Sequence, residues 1–391
     1  MFRRRVEDCY NIAELRKLAR RRMPAPMFHY IDGGADDEWT MRRNTTAFDA
    51  YEFRPRALVD VSTIDMSTTV FGQRIDWPFF CSPTALQRLF HYQGERAVAR
   101  AAHASGTIFS LSSISSTSIE DTAKFSPGPK VFQVYVFKDR GLSREFVQRA
   151  KDSGYVALLL TVDLAVAGNR ERDIVTGMTV PPKLNLMSLL DIASRPAWVY
   201  RHLTTAKVEV ANVAHRPPPG SDNLGGVIQY LNHQLDRSVT WKDAEWMIKE
   251  WGGPFAIKGV MTAADAKRAG DVGASAVMIS NHGGRQLDFS PAPFDMLKEV
   301  VDAVGDRLEV ILDGGVRRGT HVLKALALGA RACSAGRPHL YGLGAGGEAG
   351  AAQALKILKT EVERDMALLG CASIADIDSS LIRPVPRAWQ T

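Results

Sequence analysis

Eight short apolar runs, rich in β-branched and aromatic residues, recur along the chain from residue 78 onward. Each run ends in polar residues or glycine, and a stretch with helical periodicity follows it. Strands that alternate with helices predict parallel strands joined by crossover helices. Eight such units predict a closed α/β barrel of the (β/α)8, or TIM, type. The runs cover residues 79–82, 107–111, 131–135, 156–163, 255–258, 276–280, 308–313 and 332–335.

A doubly wound open sheet is the competing arrangement, and it would bind a ligand at a single switch point. Polar side chains, however, follow each of the last six runs. An open sheet gives no cause for that regularity, whereas a barrel brings all carboxyl ends to one mouth, where active sites lie. These side chains are Gln133, Tyr135, Thr161, Asp163, Arg170, Lys258, His282, Arg285, Asp313 and Arg337.

We predict a single domain over residues 1–391, with the barrel core at about 78–345. Residues 11–23 predict a basic helix within an N-terminal helical extension. A long connection, about 171–238, follows the fourth strand. Connections of this length are usually functional or disordered. The nearest candidate for an interdomain linker, at 217–220, lies inside this connection and therefore marks no second domain.

Composition narrows the class of protein only slightly. Hydrophobic residues make up 45% and charged residues 24%, as in ordinary globular proteins, and the net charge is +6. Such a weak, dispersed positive charge fits anionic ligands or an anionic lipid surface and predicts no nucleic-acid partner. Residues 1–5 are basic but lead into no apolar run, so we expect neither a signal peptide nor a membrane-spanning helix.

The four cysteines, Cys9, Cys81, Cys333 and Cys371, are far apart and lack the spacings of zinc or redox motifs. We therefore expect reduced cysteines in a cytoplasmic protein. No HExxH motif or cluster of acidic residues suggests metal ligands, so we expect no metal site.

Residues 280–288, with the sequence SNHGGRQLD, carry the most informative polar group. The histidine at 282 can take up a proton near neutral pH. The guanidinium at 285 can bind a carboxylate through two parallel hydrogen bonds, and the glycines between them leave room for a flat ligand. This combination predicts proton abstraction from a small organic acid. The alternative is a surface loop in which the two side chains are incidental.

Lys258 and Asp163 end buried strands, where an unpaired charge is costly. Lys258 could form a Schiff base with a carbonyl substrate or place a positive charge against an anionic cofactor. Asp163 could hold a protonated His282, as an aspartate does in hydrolase triads. The sequence has no recognisable nucleophile elbow beside them.

The last two strand–helix units predict a phosphate site. Gly314, Gly315 and Gly336 would expose backbone N–H groups at helix starts, and Arg317 or Arg337 can add positive charge. Barrels of this type usually bind phosphate after strands seven and eight. The phosphate would belong to a cofactor or to a phosphorylated substrate.

These motifs resemble those of the FMN-dependent α-hydroxy acid dehydrogenase and oxidase family, which includes glycolate oxidase, lactate oxidase, flavin-type L-lactate dehydrogenases and (S)-mandelate dehydrogenase. The similarity extends over nearly the whole chain. It rests on FHYIDGGADDEWT, RPRALVDVS, SPTALQ, FQVYVFKDR, LTVDLAVAGNRERD, IKGVMTAADA, SNHGGRQLD, DGGVRRGT, ALALGA and GRP.

The resemblance implies a role for each residue of the site. His282 would be the base, Asp163 would stabilise its imidazolium, and Tyr135 would contact the reacting hydroxyl. The substrate carboxylate would be bound by Arg170, Arg285 and Tyr30. Lys258 would lie beside the flavin and favour its anionic reduced form. Further implied contacts are Ser112, Gln133 and Thr161 to the isoalloxazine ring, and Asp313, Gly315, Arg317, Gly336 and Arg337 to the ribityl phosphate of FMN.

Two departures from the family pattern concern the substrate. Glycolate oxidases carry tryptophan where this chain has Ile114 and leucine where it has Ala167. Both changes leave more room, so we expect L-lactate, converted to pyruvate, with an aromatic or longer 2-hydroxy acid such as mandelate as the alternative. A non-catalytic flavin- or phosphate-binding barrel is disfavoured by the intact set of catalytic residues.

Two features of the sequence predict different electron acceptors. By the family resemblance, the position of Ala85 often carries alanine in the oxidases and glycine in some dehydrogenases, so it favours a soluble (S)-2-hydroxy acid oxidase that uses O2 and makes H2O2. Residues 184–203 combine leucine, methionine and tryptophan with cations, as an interfacial anchor does. They resemble the docking region of membrane-bound family members and favour a dehydrogenase on the inner face of the cell membrane that reduces a quinone or cytochrome. A lid packed on the barrel rim or on a neighbouring subunit is the alternative, and the family implies a homo-oligomer, often a tetramer.

Overall fold

The computed structural model describes residues 5–179, 182–215 and 223–386. Eight parallel strands form a closed barrel in the chain order β4 to β11, with β11 pairing back onto β4. The predicted barrel is thus confirmed, and the predicted runs differ from the strands by at most two residues at either end. The barrel strands are β4 (Phe79–Thr84), β5 (Phe109–Ser112), β6 (Lys130–Val134), β7 (Ala157–Thr161), β8 (Phe255–Val260), β9 (Ala276–Ile279), β10 (Glu309–Asp313) and β11 (Ala332–Ala335).

Two further pairs of short strands lie outside the barrel. The hairpin of β2 (Thr68–Val70) and β3 (Gln73–Ile75) buries Val70 and Ile75 against the residues that fill the barrel interior. β1 (Tyr51–Phe53) pairs antiparallel with β12 (Ile382–Pro384) and so ties the N-terminal extension to the end of the described chain.

The barrel interior is apolar in its lower layers and polar in its top layer. Phe80, Val131, Leu159, Met278 and Ile311 belong to the buried interior cluster. Because side chains alternate between the two faces of a strand, the inward-facing register continues to the carboxyl ends, where every residue is polar. This top layer consists of Ser82, Ser112, Gln133, Thr161, Lys258, Ser280, Asp313 and Ser334.

The helices cover the outer face of the barrel and form the N-terminal extension. The predicted basic helix is α1, in which Asn11 caps the first turn and Leu15 and Leu18 are buried while three arginines end the helix. The helices are α1 (Ile12–Arg22), α2 (Ala25–Asp32), α3 (Trp39–Thr46), α4 (Gly94–Ala104), α5 (Ile119–Phe125), α6 (Arg140–Asp152), α7 (Glu171–Val175), α8 (Leu186–Ala193), α9 (Pro196–Leu203), α10 (Leu224–Gln234), α11 (Trp241–Trp251), α12 (Ala263–Asp271), α13 (Pro293–Val304), α14 (Gly319–Ala327) and α15 (Arg337–Leu369).

The long connection after β7 is largely helical where it is described, since it contains α7, α8, α9 and α10. The proline-rich stretch at 217–220 lies outside the described residues. Among the described residues, no helix is long and apolar enough to cross a bilayer. The four cysteines are buried, and they form no disulfide bond within the described ranges.

Candidate active site

The imidazole of His282 and the carboxylate of Asp163 form a hydrogen-bonded pair at the barrel mouth. Nδ1 of His282 lies 2.8 Å from Oδ1 of Asp163. His282 follows β9 with a φ of 58°, in the left-handed region, and Asp163 follows β7. A Cβ at Gly259 would lie 2.8 Å from the Cβ of Asp163. A glycine at the end of β8 therefore makes room for the carboxylate.

The charge on Asp163 determines which imidazole nitrogen can act as a base. Burial alone would raise the pKa of Asp163, but the charges of His282 and Lys258 outweigh burial and hold this pKa below its usual value. Asp163 is therefore an anion at neutral pH and accepts a hydrogen bond from Nδ1–H. Nε2 of His282 then keeps its lone pair and can take up a proton.

Lys258 is a buried cation between two carboxylates. Its Nζ lies 3.1 Å from Asp313 Oδ2 and 3.9 Å from Asp163 Oδ2. Burial lowers the pKa of Lys258, but the charges of Asp313 and Asp163 outweigh it and raise this pKa above its usual value. A Schiff base requires a neutral amine, so the structure favours the second predicted use of Lys258, a fixed positive charge.

Asp313 forms an ion pair with Lys258, and its carboxylate is unsuited to binding a phosphate. Its carboxylate accepts hydrogen bonds from the hydroxyls of Ser82, Ser280 and Ser334, and the Ser280 and Ser334 bonds measure 2.7 Å and 2.6 Å. A carboxylate would repel a phosphate, so the prediction that Asp313 binds the phosphate has no support in this arrangement. We assign Asp313 to holding Lys258 in place.

Two arginines converge on Tyr30, as predicted for a carboxylate clamp. The guanidinium carbons of Arg285 and Arg170 lie 5.0 Å and 5.4 Å from the centre of the Tyr30 ring. Arg285 Nη1 donates to the carbonyl oxygens of Tyr30 and Gly33. Burial, followed by the charge of Arg170, lowers the pKa of Arg285 to about 9. Two adjacent, partly buried cations favour the binding of an anion such as a substrate carboxylate.

Tyr135 follows β6 and faces the same space. Burial, and then the charge of Asp163, raises the pKa of the Tyr135 phenol well above its usual value. The phenol therefore stays protonated and can donate a hydrogen bond to a reacting oxygen.

Buried donors without partners fit the predicted flavin ring. Gln133 Nε2 and Thr161 Oγ1 have no hydrogen-bond partner in the described chain. The hydroxyl of Ser112 donates to Gln133 Oε1 at 3.0 Å, which orients the amide and leaves Nε2 available. Buried polar groups in native proteins are normally satisfied. A planar ring with carbonyl and ring-nitrogen acceptors, as in isoalloxazine, would satisfy these donors.

The predicted phosphate site combines a tight glycine turn with two arginines. Gly315 has a φ of 74°, and a Cβ there would lie 2.0 Å from the carbonyl oxygen of Asn44. Burial lowers the pKa of Arg317 to about 10. Neither Arg317 nor Arg337 forms an ion pair with any residue in the described ranges. Arg337 instead donates to backbone carbonyls, including those of Ile31 and Gly33. Gly336, which precedes α15, completes the predicted set.

Sequence reasoning missed one charged member of the site, Asp173. This buried carboxylate lies 3.4 Å from Arg170 Nε. Burial raises its pKa, although Arg170 and Arg285 oppose this shift. The only signal in the sequence was the spacing of three residues from Arg170 at the start of a helix, which is common on protein surfaces.

The two residues predicted to enlarge the substrate space lie on different loops. Ile114 follows β5 and is partly buried against the core. Ala167 is exposed, and it lies on the loop between Asp163 and Arg170.

Comparison with known proteins assigns the chain to a family. Residues 19–384 match the family model for FMN-dependent dehydrogenases. The chain belongs to this family. Glycolate oxidase 1 of Oryza sativa subsp. indica is 42% identical in an alignment of 385 residues. The alignment covers 96% of this chain and 98% of that protein.

Solved structures agree with that assignment. The monotopic membrane protein (S)-mandelate dehydrogenase has a TM-score of 0.93 and 35% identity, covering 97% of this chain and 100% of its own. A flavocytochrome b2 mutant with pyruvate bound has a TM-score of 0.81 and 34% identity, covering 97% and 88% of the two chains. FMN is therefore the cofactor, and the chemistry is FMN-dependent oxidation of a 2-hydroxy acid.

Proposed function

We propose that this dehydrogenase-family protein oxidises an L-2-hydroxy acid with a larger side chain than glycolate, L-lactate first among the candidates, and passes the electrons to a quinone or cytochrome. The observation that carries the proposal is the geometry around Tyr30. A clamp of two partly buried arginines for the carboxylate lies on the same two loops as the base, His282, and the small, exposed Ala167.

The side chains divide the work of the reaction. Oxidation removes two electrons and two protons from the carbinol C–H and O–H bonds and forms the keto C=O bond. When bound, FMN accepts the two electrons. Nε2 of His282 takes up a proton, and Asp163 stabilises the resulting imidazolium. Tyr135 donates a hydrogen bond to the reacting oxygen, and Lys258 supplies positive charge at the mouth.

Relatives point to different substrates. The flavocytochrome b2 structure contains pyruvate, the product expected from lactate. (S)-Mandelate dehydrogenase supports the aromatic alternative, for which the exposure of Ala167 leaves room. The glycolate oxidases would favour the smallest substrate.

Anaerobic mixing with substrate distinguishes these possibilities. The FMN-loaded protein is mixed with L-lactate, (S)-mandelate, glycolate or D-lactate, and bleaching of the flavin absorbance is followed. We expect L-lactate to reduce the flavin faster than glycolate, because Ile114 and Ala167 leave space that glycolate cannot fill. D-Lactate is the stereochemical control. Fastest reduction by glycolate would refute the proposed substrate, and fastest reduction by mandelate would support the aromatic alternative.

The acceptor needs a separate measurement. We propose a quinone or cytochrome, with O2 as the alternative favoured by Ala85. Reduced protein is mixed with air-saturated buffer or with a soluble quinone, and the return of flavin absorbance is timed. Reoxidation by oxygen at least as fast as by the quinone would make the protein an oxidase.

We also propose that α8 and α9 bind the inner face of the cell membrane. Leu186, Met187, Leu189 and Leu190 are each at least half exposed, which gives α8 an apolar outer face. The opposite side of this pair of helices is held by polar contacts, including Arg195 Nε to the carbonyl of Met23 at 3.3 Å. The relative described as a monotopic membrane protein supports this reading over a packed lid.

Sedimentation with anionic lipid vesicles tests the membrane proposal. The double variant Met187→Ser/Leu190→Ser should stay in the supernatant while the parent protein pellets, because burial of apolar side chains drives interfacial binding. Tyr10→Ser is the matched control, since Tyr10 is also exposed but lies far along the chain from α8. Equal pelleting of parent and double variant would contradict the proposal.

For the assembly we propose a homotetramer. The exposed rings of Trp39 and Phe289 stack with centroids 5.5 Å apart beside the exposed Leu287, and such apolar clusters favour subunit contacts. Light scattering of the purified protein gives the subunit count directly.

A further inference from the structure

The loop between β7 and α7 carries two charged groups of the site. Asp163 comes first and faces His282, and Arg170 reaches Tyr30 at the end of the loop. The exposed Ala167 lies between them along the chain. An error in the position of this loop would therefore misplace the partner of the base and the carboxylate clamp together.

A single side chain from the opposite loop holds the middle of this segment. Gln286 Nε2 donates to the carbonyl oxygens of Asp163 at 3.2 Å and Val166 at 2.9 Å. Gln286 Oε1 accepts from the backbone N–H of Gly168 at 3.3 Å. Three hydrogen bonds from one amide thus fix three points along the loop.

The two loops also touch through their backbones. A Cβ at Gly168 would lie 2.3 Å from the carbonyl oxygen of Arg285 and 2.8 Å from the Cα of Gln286. The loop therefore passes directly over the residues that follow His282. A separate attachment, from Asn169 Nδ2 to Asp36 Oδ1 at 2.9 Å, holds its far end to the N-terminal extension.

We propose that Gln286 is a positioning residue that sets the Asp163–His282 and Arg170–Arg285 geometry in one step. Gln286 lies one residue after Arg285 and four after His282, so the loop that carries the base and one arginine also fixes the loop that carries their partners. The proposal rests on the oxidation of a 2-hydroxy acid at this site. It concerns only how the reacting groups are held, since Gln286 contacts backbone atoms of the loop.

The test uses Gln286→Met in the FMN-loaded protein. Methionine matches the length of glutamine but makes none of the three hydrogen bonds. Oxalate, a carboxylate without a removable hydrogen, is titrated while the flavin spectrum is followed, and anaerobic flavin reduction is measured separately. We expect the Kd for oxalate to rise about tenfold and flavin reduction to slow about 10- to 100-fold, because small displacements of reacting groups cost that much. Hydrogen exchange should accelerate in residues 162–170.

Gln148→Met is the matched control, since it makes the same substitution at an exposed position of α6, where the amide donates to Asp152, and it should leave all three measurements unchanged. An unchanged melting temperature in Gln286→Met separates positioning from a loss of global stability. If Gln286→Met does not retain FMN, Gln286→Glu takes its place, because glutamate keeps the acceptor for Gly168 N–H and loses both donated bonds.

The test distinguishes a failure of the role proposed for Gln286 from a failure of the proposed function. Parent-like oxalate binding and flavin reduction in the variant would overturn the role of Gln286. A parent protein whose flavin no 2-hydroxy acid reduces would instead overturn the proposed function.

Discussion

At the scale of single residues, the site is built on a series of paired polar groups. The imidazole of His282 hydrogen-bonds to Asp163, and Lys258 lies within ion-pair distance of both Asp163 and Asp313. Each buried charge therefore has an opposite neighbour, which offsets the cost of removing it from water. This arrangement leaves Nε2 of His282 as the group that is free to accept a proton.

His282→Asn should slow anaerobic flavin reduction by the best substrate about 10²- to 10⁴-fold, the usual contribution of a general base. Binding of oxalate should stay close to that of the parent protein, because Arg170 and Arg285 are untouched. Stopped-flow absorbance and a spectral titration measure the two effects. Reduction at the parent rate would show that another group is the base.

Asp313→Asn should lower the free energy of unfolding at pH 7 by about 3–5 kcal/mol, since it leaves Lys258 with one carboxylate partner fewer. Burial raises the pKa of Asp313, but Lys258 and the serine hydroxyls lower it below its usual value of 3.8. The stabilisation is therefore complete above that value and is lost as the pH falls below it. Urea unfolding of both proteins at pH 7 and below pH 4 should show the difference shrinking in acid, and an equal difference at both pH values would contradict this account.

At the scale of elements, strands were easier to predict than the loops that join them. The bounds of residues 332–335 were predicted without error because the charged Arg331 and the glycine at 336 border this short buried run. The helices α8 and α9 lie within residues 184–203, which were predicted as an interfacial anchor without helix bounds, because the apolar residues of α8 face outward and give no signal of packing.

The turn after β10 offers a test of loop geometry. Gly315→Ala should reduce the FMN retained on purification, because its Cβ would lie 2.0 Å from a backbone oxygen of Asn44. Gly72→Ala is the control, since Gly72 also has a positive φ but nothing within 4 Å of an added Cβ. Both variants carry the same backbone strain, so any difference in flavin content reports crowding at the phosphate turn. Equal flavin content would contradict that role.

At the scale of the whole molecule, the helices α8 and α9 lie outside the barrel. α8 contacts α2 and α9 contacts the loop around Arg88, whereas the barrel strands of the described chain pair with one another. The candidate catalytic groups lie on the barrel loops and on α2.

Replacing residues 184–203 with a flexible glycine–serine linker should therefore leave FMN bound and keep anaerobic flavin reduction within about threefold of the parent, since the replaced segment supplies none of the reacting groups. The same protein should lose sedimentation with anionic vesicles. Loss of FMN would show that the helices are structural, and retained sedimentation would place the lipid contact elsewhere.

The sequence by itself determined the eight strand–helix units, the polar residues at their carboxyl ends and the positions of the glycine turns, and it predicted the base and the carboxylate clamp. Those features are local, because strand periodicity and glycine turns depend on neighbouring residues. It also supported the family resemblance, which the comparisons confirmed.

Only the tertiary structure decided how these residues combine. Asp313 was predicted to contact a phosphate, but the barrel places it beside Lys258 and three serines. Arg285 and Arg337 meet carbonyls of residues 30–33, more than 250 positions away. Contacts between such distant residues form when the barrel closes, and they leave no periodic pattern in the sequence. The partners of each charged residue could therefore be identified only from the folded chain.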